Sequence, residues 1–252
     1  MEYIDIVDEN NNPTGKVKEK QQAHEDGNFH RTAHVWIIND KNKLLLQKRS
    51  ASKKTHPNCW DISEAGHIKA GESVVDGAIR ELKEELGVEA EEKDLQYIAT
   101  IKSTKNPKNM EFQYVYLLNC NKEIEEYIFE DNEVSEVKYI FYKDLEKMVE
   151  EKIEGLLIHE EEYKYLFRYI TNKNIKIRKC NANDVDSIYN IQNIVIDNFK
   201  EEEKGYFLPF KKDTYLRIVN DPINDGEIYG AFIDDKMIAW IFLSVSNRMK
   251  EL

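Results

Sequence analysis

The chain has 252 residues, with 48 acidic against 36 basic side chains and a formal charge of −12 at pH 7. That balance argues against nucleic acid as a partner, since broad binding to it needs a basic footprint. With 41% hydrophobic residues the chain can bury one or two cores, and its longest apolar run, residues 237–243, is far too short to span a bilayer. The opening Met1-Glu2-Tyr3-Ile4-Asp5 lacks the basic and apolar regions of a signal peptide. Cys59, Cys120 and Cys180 are odd in number and scattered, without metal-like or redox spacing. A cytoplasmic protein with reduced thiols and no membrane partner is expected.

In chain order, residues 32–38 and 43–47 read as strands around the turn Asn39-Asp40-Lys41-Asn42. Residues 60–67 form another extended piece and lead into a helix that starts after Ser73. Residues 97–102 and 112–118 read as strands separated by a polar loop at 103–110, and 137–141 as a short strand. Acidic helices are expected near 143–153 and 160–170, with a polar boundary at 171–174. This organisation is α+β, with one domain over 1–172 and a smaller one over 175–252.

In that smaller segment, residues 175–178 read as a strand, followed by a helix carrying Val185, Ile188, Ile191, Val195 and Phe199 on its buried stripe. A second helix is expected at 212–219, then a hairpin of 228–233 and 237–243 around Asp234-Asp235-Lys236. The order resembles the opening of the GNAT acetyltransferases. The Gly-rich turn by which that family cradles acetyl-CoA is found nowhere in the sequence. An incomplete module of this kind exposes sheet edge and core. Two consequences stay open, pairing with another chain (a second copy included) or origin in a longer parent protein, and a docking or interaction module is an equal alternative to a remnant transferase.

The helix after Ser73 carries the chemistry. Ser73 and Asp76 form a capping pattern, and Gly87 stands where a helix end favours a left-handed residue. Val75, Ile79, Leu82 and Leu86 fall on one apolar stripe. Glu81, Glu84 and Glu85 gather on another face, where like charges repel by a few tenths of a kcal/mol per pair. A divalent cation removes that conflict, because hard carboxylate oxygens suit Mg²⁺ or Mn²⁺.

The spacing Gly66, Glu72, Arg80-Glu81-Leu82, Glu84-Glu85, Gly87-Val88 resembles, position for position, the signature of the Nudix hydrolases. Typical residue frequencies make a chance match of all nine positions rarer than about one in a million. The resemblance implies an α/β/α sandwich with a mixed sheet and Mg²⁺-dependent cleavage of nucleoside diphosphate derivatives, with Mn²⁺ able to substitute. It implies metal ligation by Glu81, Glu84, Glu85 and the backbone carbonyl of Gly66. Arg80 would orient a carboxylate through a bidentate ion pair. Glu85, Glu81 and, outside the box, Glu111 are candidates for the base. Trp60, Tyr114 and Tyr116 are more plausible as core than as stacking groups.

A second resemblance, to isopentenyl-diphosphate isomerases and the hydrolases most similar to them, rests on three stretches. They are Ala23-His24 to Arg31, Leu44 to Lys54, and Pro57 to Trp60. It places His24, His30, His67 and Glu111 on metal-ligand positions, and Arg49 and Lys53 on diphosphate-contacting ones. Two departures set this chain apart: the isomerase's catalytic cysteine corresponds to Ala65, and its second essential glutamate to Gln113. Cys59 lies six residues too early to replace that cysteine. Neither Ala65 nor Gln113 can protonate an alkene. Incubation with isopentenyl diphosphate should therefore yield no dimethylallyl diphosphate above a no-enzyme control, followed by chromatography of the dephosphorylated alcohols.

Overall fold

The computed structural model describes residues 2–129, 132–197, 210–220, 226–233 and 235–243. Their contacts divide the chain into two compact units, Met1–Tyr169 and Ile170–Leu252. Among the described residues no helix is long and apolar enough to cross a membrane.

The first unit opens with a hairpin, β1 (Tyr3–Val7) and β2 (Pro13–Glu19), followed by the short helix α1 (Lys20–Glu25). The sequence pattern predicts no element here. Next come β3 (His30–Ile38), β4 (Lys43–Arg49), β5 (Trp60–Asp61) and β6 (Glu64–His67), then the helix α2 (Val74–Leu86). The unit closes with β7 (Leu95–Asn106), β8 (Asn109–Asn119), β9 (Val134–Phe141), α3 (Tyr142–Glu150) and α4 (Glu160–Lys173).

Seven strands form one mixed sheet. Its path is β5-β4-β3-β8-β7, with β6 also on β3 and β9 also on β4. The β3–β8 pair is parallel and the other pairs are antiparallel. Alternation along β3 gives the sheet two apolar faces. Ala33, Val35 and Ile37 join the core that contains Ala78, Leu82 and Leu86 of α2. On the other face, the fully buried Trp36 packs on Tyr163 of α4, ring centroids 5.3 Å apart, and its indole N–H donates to Glu162. This is the expected α/β/α sandwich.

Three expectations are corrected. Residues 103–110 are not a loop: β7 and β8 continue through them and close a hairpin at Asn106 and Asn109. The polar side chains that suggested a loop are largely solvent-facing on the strands. The helix expected to end near residue 170 continues as α4 through 173, into the polar boundary stretch; polar residues do not stop a helix on its wet side. On α2, Ala78 rather than Ile79 joins Leu82 and Leu86 in the core, because the stripe is rotated by one position toward the sheet.

Capping of α2 follows expectation at Ser73 and Gly87, but the Asp76 carboxylate accepts from the Ser73 hydroxyl at 2.6 Å instead of from a backbone amide. Ser73 Oγ accepts from the Asp76 amide at 3.1 Å, and Gly87 takes φ 60°.

The second unit holds β10 (Lys176–Lys179), α5 (Val185–Asp197), α6 (Lys212–Asn220), β11 (Glu227–Ile233) and β12 (Lys236–Leu243). Its antiparallel sheet has the order β10-β11-β12. Val185, Ile188, Tyr215, Ile218, Ile228 and Phe232 lie in its core. Val195, expected there, is 50% exposed. Gln192 takes the inward position on that stretch and accepts a bond from the Tyr215 hydroxyl. Phe199 and Asp234 lie outside the described residues.

Truncating Leu82 should cost about 2–5 kcal/mol, as for a fully buried leucine, and Ile79→Ala markedly less. Denaturant midpoints of the two variants test the placement of the stripe.

Candidate active site

Two residues of β6 face α2. A Cβ built on Gly66 would lie 2.2 Å from Glu81 Cγ, so only glycine lets the glutamate approach the strand this closely. Glu64, two residues earlier and therefore on the same face, meets Glu81 and Glu85. One carboxylate oxygen from each of the three lies within 4.8 Å of the others. Glu64 is fully buried, and neither of its oxygens has a hydrogen-bond partner. Burial, then the charges of Glu85 and Glu81, push its carboxyl well above the usual range. Burial likewise raises Glu81, against the pull of Arg80.

Arg80 braces this cluster from outside. It grips Glu72 through Nε and Nη2 at 2.9 and 3.0 Å, which is the bidentate pair the sequence suggested. Its Nη1 also reaches Glu81 at 2.7 Å and Glu84 at 3.0 Å, and Nη2 donates to the His67 carbonyl at 3.0 Å. Although burial would raise Glu72, these bonds hold it below its usual range. Glu84, with 48% of its side chain exposed, is shared between Arg80 and Lys69 and stands outside the Glu64–Glu81–Glu85 group.

The alternate face of β6 carries His67. Its Nε2 lies 3.1 Å from Nε2 of His24, and His24 stacks on His30 at 4.8 Å. A ring nitrogen from each of the three histidines falls within 4.8 Å of the others. Glu111, on β8 opposite His30 in register, reaches His30 and His67 at 3.7 and 3.9 Å. Burial depresses His67 and His24, so both rings are poised as neutral donors. Glu111 behaves oppositely: its histidine partners outweigh burial and hold it near 2, with Gln113 donating at 2.9 Å.

The predicted cations reach the same space. Arg49, Lys53, Gly66, Arg80, Glu81, Glu84 and Glu85 all line one open cleft of about 760 Å³. An adjoining cavity of about 910 Å³ holds His24 and Glu111, and Arg49 and His67 line both. Arg49 is held by the Thr55 carbonyl at 3.1 and 3.2 Å and by Asp61 at 3.3 Å; Lys53 pairs with Glu133. Asp61 in turn accepts from His159 at 2.9 Å. Trp60, Tyr114 and Tyr116 line neither cavity: Lys138 covers Trp60, Tyr114 accepts from Asn11, and Tyr116 is core.

Sequence reading missed Glu64, Asp61 and His159. Period-2 alternation back from Gly66 points to Glu64 only once the face that Gly66 occupies is known. His159 is far from Asp61 in sequence, and nothing local marks it.

A carboxylate set with an orphaned buried member, packed against a glycine, fits a hard divalent cation better than solvent or a proton. A family model of the NUDIX domain matches residues 28–159. The chain belongs to the Nudix hydrolase family. An uncharacterised Nudix hydrolase of Clostridium acetobutylicum is 38% identical over 183 residues, 68% of this chain and 88% of that protein. The isopentenyl-diphosphate Delta-isomerase 2 of Photorhabdus laumondii is 31% identical over 140 residues, 55% of this chain and 77% of the isomerase. The crystal structure of DR0079 from Deinococcus radiodurans covers 67% of this Nudix chain and 99% of its own, with TM-score 0.53 and 24% identity. At that identity the likeness concerns the fold alone.

The Asp61–His159 pair should make the fold of this Nudix domain sensitive to alkali. Burial lowers the His159 ring, but the bond and charge of Asp61 prevail and raise it to about 9. A raised histidine stabilises fully below its unfolded value near 6.5, and that stabilisation fades as pH rises through 9. His159→Gln should therefore lower the unfolding midpoint more at pH 7 than at pH 10, as read by thermal melts of both proteins.

Proposed function

We propose that this chain is a Mg²⁺-dependent hydrolase that cleaves the diphosphate linkage of a nucleoside diphosphate derivative. One observation carries the reading: carboxylates for a cation and cations for a diphosphate face the same cleft. Glu81, Glu84 and Glu85, with the carbonyl of Gly66, would hold the metal. When bound, Mg²⁺ supplies positive charge against the diphosphate and makes the attacking water more acidic.

The chain's own groups do the rest. Arg49 and Lys53 neutralise the nonbridging oxygens, and the hold of Thr55 and Asp61 on Arg49 limits the ordering that binding requires. Water forms a bond to phosphorus while the bridging P–O bond breaks, its electron pair leaving with the departing phosphate. A cleft carboxylate takes the water's proton. Glu81 and Glu85 stand on the wall where the diphosphate would lie; Glu111, held as a carboxylate, faces the adjoining cavity. Arg80 positions Glu72, Glu81 and Glu84 and so acts through them.

Isomerase chemistry is disfavoured by Ala65, which lines the cleft without an acid, and by Gln113, whose amide is spent on Glu111. For the second unit we propose an acetyltransferase-like module without the Gly-rich turn, supported by the strand–helix–helix–strand–strand order of its described elements. Calorimetric titration with acetyl-CoA should then show no micromolar binding.

The decisive test is a Mg²⁺-dependent screen over nucleotide sugars, dinucleoside polyphosphates, deoxynucleoside triphosphates, coenzyme A and NAD(H). On the best substrate, Glu84→Gln and Glu85→Gln should each lower kcat by about a hundredfold or more without loss of fold. Wild-type turnover in both at saturating Mg²⁺ would refute the assignment.

A further inference from the structure

We propose that Glu64, which lies outside the signature, is a direct ligand of the cation. It would form the inner carboxylate set with Glu81 and Glu85, leaving Glu84 to the rim. The inference rests on the metal reading above and deepens it.

Three independent observations converge. Glu64 is fully buried, yet neither carboxylate oxygen finds a hydrogen bond. Buried carboxyl groups in folded proteins are satisfied, and an orphan signals a missing partner. The gap it leaves is not apolar, because the nearest ligand-bearing groups are carboxylates of Glu81 and Glu85. Packing three carboxylates together makes no sense for an anion, a hydrogen-bond acceptor or a hydrocarbon; it suits a hard divalent cation. Finally, the backbone is arranged to permit the approach. Gly66, on the same face, leaves room for Glu81 to turn toward the strand, which brings its oxygens to Glu64.

Glu84 has the opposite character. It is half exposed and already engaged by Arg80 and Lys69, so its charge is largely answered within the protein. Its contribution belongs to substrate-loaded cation or to alignment of Arg80. The inner set therefore binds a cation before any diphosphate arrives.

The test uses the full chain without substrate. Mn²⁺ affinity is measured by electron paramagnetic resonance of free ion and by calorimetry for wild type and for Glu64→Gln, Glu64→Met, Glu81→Gln, Glu84→Gln and Glu85→Gln. Loss of Glu64 should weaken Mn²⁺ binding by about tenfold or more, as ligand charge count sets affinity at such sites. Glu84→Gln should weaken it less than Glu64→Gln does. Glu64→Met should also raise the melting temperature of the metal-free protein, because an unpartnered buried carboxyl is replaced by an apolar chain of similar size. Should Glu64→Gln fail to fold, the same readings on Glu64→Met decide.

Mn²⁺ binding lost in Glu81→Gln and Glu85→Gln but intact in both Glu64 variants would overturn this proposal and leave the hydrolase reading standing. Mn²⁺ binding unchanged in all five variants would overturn the metal reading itself.

Discussion

A single guanidinium ties the signature loop, the strand and the helix together. Arg80 bonds Glu72 from the loop, the His67 carbonyl from β6, and Glu81 and Glu84 from its own helix. Without it, α2 would carry crowded carboxylates toward a strand that already buries another. Its planar, five-donor head suits this task in a way that a lysine's point charge does not. The close approach it enforces needs room, which glycine supplies twice: Gly66 opposite Glu81, and Gly77, where a Cβ would meet Ile68 Cδ1 at 2.6 Å. Charge pairing and steric allowance act at the same interface, so each is futile without the other.

Much of the domain was legible because strong local signals coincide with the core. The strands β3, β4 and β8 are apolar or alternating, and α2 has a cap, a glycine stop and an apolar stripe. What escaped was structure whose stabilisation is not local. The hairpin of β1 and β2 buries little beyond Ile4, Ile6 and Val7, and its strand β2 is mostly exposed and polar. Its pairing depends on a partner strand rather than on composition. The same reason hid the β7–β8 hairpin in a polar stretch.

At the site, the box residues and the cations Arg49 and Lys53 were readable from spacing and resemblance. Glu64 was not, because a glutamate in a short strand looks like any exposed residue until the face it occupies is known. His159 and Asp61 are 98 residues apart and meet only through the fold. The Asp61 pair overrides burial there: desolvation depresses His67, whereas the bond and charge of Asp61 raise His159 in spite of it. Ile79 and Val195 show the complementary limit, since helical periodicity fixes a stripe only to within about one position.

The alternation along β6 has an evolutionary reading. Residues 64 and 66 serve the carboxylate wall, while His67 joins the other two histidines. Near neighbours on one strand thus belong to separate groups of donors, the carboxylates and the histidines. Substitution at such positions leaves the register of the strand untouched. The strand has no such freedom in length: inserting or deleting one residue would turn every side chain to the wrong side and erase both groups together.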